Sequence, residues 1–300
     1  MSLNHQPKWL PIAPWLFLFI WSAGYGVAKL ALESTTPLNL LALRFVLATL
    51  VLLPVAAVVK PPLPSRRATL DLIVVATLLQ IGHFGCIYVG LSLGASAGVL
   101  ALLAASQPVL ITIVISLNQR ELPAVRTWLG LSAGLLGAGW VIYAQGQLSG
   151  SVLLGAALGF VGVVSLSLGQ VYDKTQQPQC HPLLVYIIQY AYASFICVPI
   201  AWWLEGYTIQ WNTSLAGAIT YLVLGNSLLG IFIMLTMVRF GAMARVTSIM
   251  FLVPGVAAVI AWLVVDEVMP LDAWPGIALA AAGVLLVLYS GRSEEVRQSE

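Results

Sequence analysis

Apolar stretches of about twenty residues recur along the chain, parted by short polar connections. A helix that crosses the hydrocarbon of a bilayer needs that length. The pattern predicts ten such spans, at 11–32, 38–59, 70–92, 95–117, 124–143, 151–172, 183–204, 214–238, 242–265 and 271–289. The connections are short, as at 33–37, 60–69, 93–94 and 118–123, so little chain remains outside the spans to build a soluble active site. Trp9, Trp15, Trp128, Trp202, Trp203 and Trp274 fall near span ends, where aromatic rings anchor helices at the headgroup level. The first apolar run, from Leu10 to Ala28, exceeds the apolar core of about 7–15 residues in a signal peptide. It reads as a retained helix, because the second half of the chain carries its counterpart.

The ten spans are one unit of five written twice. Pro108 and Pro254 lie 146 residues apart, as do Glu121 and Glu267, Trp128 and Trp274, Gly130 and Gly276, Gly137 and Gly283, and Tyr143 and Tyr289. Earlier pairs keep an offset of 145: Lys29 with Lys174, Pro37 with Pro182, Pro54 with Pro199. The units are assigned to 1–148 and 149–300. Five is odd, so the second unit enters the membrane from the opposite side, and the equivalent residues Lys29 and Lys174 fall near opposite faces. The expected fold is all-α and integral to the membrane: ten transmembrane helices, arranged as two inverted-topology five-helix repeats around a central cavity. Secondary transporters are built this way, with the substrate site near the midplane at the repeat interface.

Lys and Arg placement sets the orientation. With the N-terminus inside, Lys8, Lys60, Arg66, Arg67, Arg120, Arg126, Lys174, Arg239, Arg245, Arg292 and Arg297 are cytoplasmic, and only Lys29 and Arg44 lie toward the outside, 11 against 2. Both termini are therefore expected in the cytoplasm. Arg44 lies about two turns into its span, within reach of snorkelling outward.

Composition narrows the classes. The chain is 60% hydrophobic and 8% charged, where soluble domains carry about 25% charged residues. A net charge of +2 gives no reason to expect nucleic acid as a partner. The three cysteines, Cys86, Cys180 and Cys197, have no metal-like spacing, and an odd count argues against a disulfide framework. No metal and no cofactor is expected, and a monomer and a homodimer remain equally open.

Polar groups inside hydrocarbon are costly, so their positions carry information. Trp21, Ser22 and Tyr25 fall at the centre of the first span, Gln80, His83 and Phe84 in the third, and Ser106, Gln107 and Pro108 in the fourth. Ser165 and Ser167 fall in the sixth, and Asn226 and Ser227 in the eighth. Any one of these equally serves a helix–helix hydrogen bond; their convergence on one depth predicts a cavity. The expected substrate contacts are Trp21, Tyr25, Gln80, His83, Phe84, Ser106, Gln107, Ser165, Asn226 and Ser227, with the amides, hydroxyls and His83 meeting amino and carboxylate groups and the aromatic rings meeting the side chain. No Asp or Glu falls near a span centre, so the midplane is expected to be mostly neutral, suited to a neutral or zwitterionic solute. Pro108 and Pro254, mid-helix in spans four and nine, are read as paired hinges or as fixed kinks. Gly130, Gly134 and Gly137, facing Gly276, Ala280 and Gly283, form small faces for close packing of spans five and ten.

The segments ASAGVLALLAASQPVLITI at 95–113 and GAGWVIY at 137–143, with Glu121, Trp128 and Gly130, resemble the repeated unit of EamA-type carriers in the drug/metabolite transporter superfamily. The second copy reads GAMARVTSIMFLVPGVAAVIAW at 241–262, VDE at 265–267, Trp274 and GVLLVLY at 283–289. The stretches WSAGYGVAKLAL at 21–32 and PLNLLALRFVLA at 37–48 are similar to the first two spans of that unit, while NQRE at 118–121 departs from the usual pattern. Within the family the chain looks most like the aromatic amino-acid exporters (the YddG type). That resemblance implies a carrier in the bacterial inner membrane that exports aromatic and other neutral amino acids by alternating access; the alternative is export of amphiphilic drugs or other small metabolites. An enzyme is not expected, since one intramembrane histidine and no buried carboxylate make a poor catalytic set.

Overall fold

Capping residues and prolines set where the helices begin. The side chains of Ser65, Ser96, Ser149 and Asn212 each accept a hydrogen bond from the backbone N–H three residues on, satisfying a donor that the first turn leaves free. Pro14, Pro37, Pro182 and Pro254 occupy first turns, where a missing N–H costs nothing. The computed structural model describes residues 9–146, 149–239, 252–267 and 269–298. Among these residues every regular element is helical and no strand occurs.

The helices are α1 (Ala13–Ala31), α2 (Pro37–Val59), α3 (Arg66–Ser92), α4 (Ala97–Asn118), α5 (Val125–Ala144), α6 (Gly150–Gln176) and α7 (Pro182–Glu205). Then follow α8, made of the consecutive pieces Thr213–Thr220, Tyr221–Gly230 and Ile231–Arg239, α9 (Val253–Val265) and α10 (Trp274–Gln298). Seven of them, α2 to α8, are long and apolar enough to cross a bilayer, while α9 and the stretch Leu271–Leu286 are shorter apolar helices. Several run past the expected spans: α3 starts at Arg66 rather than 70, and α6 continues through Asp173 and Lys174 to Gln176. Hydropathy sees only the apolar length, whereas a helix continues into the polar boundary as long as its backbone bonds hold. Of the expected span 242–265, residues 242–251 lie outside the described residues.

The burial pattern is that of a chain dissolved in lipid. Phe195, Leu136 and Trp203 are exposed on the outside, while Arg44, Gln80, His83 and Asn226 are buried. In hydrocarbon, polar groups must find partners within the protein.

Pairwise contacts fix the directions of the helices. The Tyr172 hydroxyl near the end of α6 donates to Asp71 near the start of α3 at 2.8 Å, and Gly155 near the start of α6 abuts Gly90 near the end of α3, so these helices are antiparallel. Glu205, at the end of α7, accepts from the backbone N–H groups of Leu38 and Asn39 at the start of α2, at 3.0 and 3.1 Å. Lys29 near the end of α1 pairs with Glu267 just past α9, and Glu267 also accepts from the Ala97 N–H that begins α4. Asn212, which caps α8, donates to Ser34 beyond α1 at 2.8 Å. Thus α1, α3, α7 and α9 end where α2, α4, α6 and α8 begin. This is called the Lys29 end; Lys174, near the end of α6, lies at the other.

The contact pattern repeats when each helix is exchanged for the one five places on. α1 packs on α9 as α6 packs on α4, α1 on α8 as α6 on α3, and α2 on α7 and α5 on α10 map onto themselves. In the seam of α5 and α10 the backbones themselves come close. A Cβ at Gly276 would lie 2.6 Å from the Gly137 carbonyl oxygen, and one at Gly283 would lie 2.6 Å from that of Gly130. Close backbone approach of this kind requires glycine. Gly283→Val is therefore expected to destabilise the protein by about 1–3 kcal/mol through overpacking. The check is the apparent melting temperature in detergent, which should fall, whereas Gly139→Ala, with nothing within 4 Å of the added carbon, should leave it unchanged.

Candidate functional site

A buried cation organises the interior. Arg44 on α2 is 2% exposed, and its guanidinium makes three hydrogen bonds to neutral partners. Nε donates to Ser227 Oγ at 2.8 Å, Nη1 to the Tyr88 hydroxyl at 2.7 Å and Nη2 to Asn226 Oδ1 at 2.9 Å. The Phe84 ring covers the guanidinium, with its centroid 4.0 Å from Cζ, a cation–π contact that gains strength away from water. Position along the span set Arg44 within reach of snorkelling outward and left the midplane mostly neutral. The structure corrects both expectations. α3 and α8 offer Arg44 three acceptors and an aromatic face, so the side chain turns inward and is held there.

Beside Arg44 lies a narrow slot of about 20 Å³, lined by Trp21, Tyr25, His83, Phe84 and Asn226, together with Gly24, Ile87 and Tyr88. Five of the expected contact residues thus meet at one place. His83 is fixed by its Nδ1, 3.0 Å from the Gly162 carbonyl, and its ring meets Phe84 edge-on at 4.9 Å. Gly24 lets α1 come close, since a Cβ there would sit 2.7 Å from Asn226 Nδ2. Ser227 adjoins the slot as a partner of Arg44, and its carbonyl accepts from the Tyr190 hydroxyl at 3.0 Å. Gln80 is buried but does not line the slot; its Nε2 donates to Gln189 Oε1 at 3.0 Å while its own Oε1 has no partner among the described residues.

The remaining three lie outside the slot. Ser106 Oγ donates to the Leu103 carbonyl at 2.6 Å, and Ser165 Oγ donates to the Leu78 carbonyl at 2.9 Å. Gln107 Nε2 reaches Gln170 Oε1 at 2.7 Å in an exposed position. Hydroxyls in apolar surroundings commonly satisfy themselves on backbone carbonyls, and equal depth along a span does not fix the direction of a side chain. Pro108 does not interrupt a continuous helix: α4 breaks at Ala105 and Ser106, and Pro108 follows Gln107 in the first turn of its second piece. Pro254 stands in the first turn of α9, and the part of its expected span before Leu252 lies outside the described residues.

Two features of the site were absent from the sequence reading. First, α3 and α8 both adopt the wider π-helical form where they pass the slot, at Thr77–His83 and Tyr221–Gly230; π turns occur frequently at functional sites. Second, the bonds across the centre come in a symmetric pair. Arg44 and Gln189 are 145 residues apart, and Gln80 and Asn226 are 146 apart, so Arg44–Asn226 and Gln189–Gln80 are the same contact made once from each half. Phe45 and Tyr190, also 145 apart, stack on each other at 5.9 Å. The repeat offset, applied to Arg44, would have pointed to Gln189 and to a central position for both.

The two ends differ. The Lys29–Glu267 pair joins α1 to the end of α9 and the start of α4. Its repeat counterparts, Lys174 and Glu121, are both exposed, and no ion pair joins them among the described residues. An open cavity of about 390 Å³ lies at that end, lined by Asp173, Lys174, Gln177 and Tyr186 among others. Tyr186 in turn contacts Tyr190, with ring centroids 6.3 Å apart.

Comparison with known proteins gives this arrangement a family. The EamA-like transporter family matches the chain twice, over residues 11–143 and 153–289. The uncharacterized inner membrane transporter YedA of Escherichia coli K12 is 27% identical over 287 residues, spanning 93% of this chain and 90% of its own. The uncharacterized transporter YdfC of Bacillus subtilis 168 is 23% identical over 282 residues, spanning 90% and 87%. A solved crystal structure at 15% identity superposes with a TM-score of 0.62 over 95% of this chain and 98% of that one, a likeness of fold alone. With both halves matched, the chain belongs to the EamA-like transporter family and is a multi-pass membrane transporter.

Proposed function

We propose that the protein exports amino acids, aromatic and other neutral ones, across the bacterial inner membrane. It does so by alternating access of the central slot between two inverted five-helix repeats, 1–148 and 149–300, with both termini cytoplasmic. The family matches, one on either side of residues 148 and 149, support the division into two units. Opposite running directions of α1 and α6, and of α2 and α7, support the inversion. The 11-to-2 distribution of Lys and Arg supports the orientation, and the inner membrane location is that printed for the Escherichia coli relative. The match of both halves to a transporter family supports a carrier.

The observation that carries the reading is the unequal state of the two ends around one slot. The Lys29–Glu267 pair clasps one end, and its counterparts Lys174 and Glu121 stand apart at the other. A twofold-related molecule can exchange these states, releasing the first clasp and closing the second. Placed by the charge distribution, the clasped end is the outer one and the unclasped end faces the cytoplasm, from which an exporter loads. Within the alternative of amphiphilic drugs or other small metabolites, the buried Arg44 disfavours cationic cargo.

Purified protein in liposomes loaded with unlabelled phenylalanine is expected to accumulate labelled phenylalanine by counterflow, and liposomes without protein are not. Absence of counterflow for every amino acid in a neutral and aromatic panel contradicts the substrate assignment. Lys29→Glu, which sets two carboxylates side by side at the clasp, is expected to lower export about tenfold, in keeping with the cost of breaking a partly buried pair. Lys29→Arg, which keeps the charge, should retain most of it; equal rates for the two variants contradict the clasp.

A further inference from the structure

We propose that Arg44 is the counter-charge for a substrate carboxylate, so that the slot selects small molecules with one carboxylate beside an apolar body. This rests on the carrier reading above and names the chemistry of the same slot. A guanidinium has five N–H donors. Here three bonds go to two hydroxyls and an amide oxygen, all neutral, and among the described residues two N–H groups remain uncommitted. A buried charge held only by dipoles recovers part of its lost hydration and keeps its full sign. The ion pair formed among the described residues, Lys29–Glu267, is elsewhere. The slot lining therefore presents a cation with no acidic partner among the described residues, and a carboxylate is the group whose two oxygens match a guanidinium fork.

The rest of the lining completes the match. Phe84 closes one face of the guanidinium, so an anion is received at its edge. Trp21, Tyr25 and Phe84 supply apolar wall for a side chain. In the neutral His83 ring, Nδ1 donates to the Gly162 carbonyl, which leaves Nε2 as an acceptor. That nitrogen suits an ammonium N–H set next to the carboxylate. The slot as it stands, at about 20 Å³, has room for roughly one water. Loading must therefore widen it. The helices that would move, α3 and α8, are the two that pass it in π-helical form, so a local change in winding can shift His83 and Asn226 without unfolding either helix.

The test uses the full chain in detergent and three probes: L-phenylalanine, 3-phenylpropionate, which lacks the ammonium, and L-phenylalanine methyl ester, which lacks the free carboxylate. Equilibrium binding is expected for the first two, with the ester weaker by about 100-fold, the scale on which a site built for a polar group rejects its analogue. Arg44→Lys should weaken 3-phenylpropionate by about tenfold, through loss of the fork, and Arg44→Met should abolish its binding in protein that keeps its helical circular dichroism and elution volume. Should Arg44→Met fail to fold, the probe series on the unaltered protein decides alone. Equal affinity for phenylalanine and its ester overturns the carboxylate site while leaving amino-acid export standing. Arg44-dependent binding of 3-phenylpropionate without binding of phenylalanine upholds the carboxylate site and overturns the amino-acid reading. Binding of none of the three overturns both.

Discussion

The interior is built around a charge almost wholly shielded from water. Arg44 sits among helices that face hydrocarbon on their outer sides, so its donors must be met from within. Ser227 and Asn226 from α8 and Tyr88 and Phe84 from α3 do this. One side chain of the first half is thereby tied to two residues of the second. Truncating such a residue leaves its partners without a mate, which is the expensive outcome for buried polar groups. Its counterpart, Gln189, repeats the tie from the other side through Gln80. The centre of the molecule is thus a pair of crossing bonds related by the internal repeat, one of them carrying a positive charge and the other neutral.

That difference between near-equivalent halves has a functional consequence. A perfectly symmetric centre would have no preferred position for a charged group. Substituting a glutamine where the other half has an arginine gives the slot a polarity, with the cation on the α2 side and the amide pair on the α7 side. At the periphery the halves are alike in composition but differ in state. Lys29 and Glu267 are joined, whereas Lys174 and Glu121 are apart. The seam of α5 with α10, packed backbone to backbone, supplies a common support against which the other helices can shift.

Much of the fold was legible in the sequence because the controlling signal is crude. Runs of apolar residues and the 145- to 146-residue offsets give the helices and the doubling without any knowledge of side-chain direction. The site was legible only in part. Trp21, Tyr25, His83, Phe84 and Asn226 share depth and also face the slot. Ser106, Gln107 and Ser165 share depth alone, and depth does not tell which way a residue points. Arg44 was misplaced because distance from a span end suggested an outward route, and only the acceptors of α3 and α8 reveal the inward one. The π-helical stretches carry no compositional mark; they arise from packing, and Gly82 against Ser165 shows how close that packing is.

The proposed carrier opens the two ends of one slot in turn. This alternation is tested most directly by measuring distances between paired spin labels across each end in lipid nanodiscs, with and without a transported amino acid. One pair would join the α1–α2 connection to the end of α9, and the other the end of α6 to the connection after α4. The account predicts opposite changes, with the first distance lengthening in the population in which the second shortens. Distances that lengthen together, or that both stay fixed while transport proceeds, contradict it.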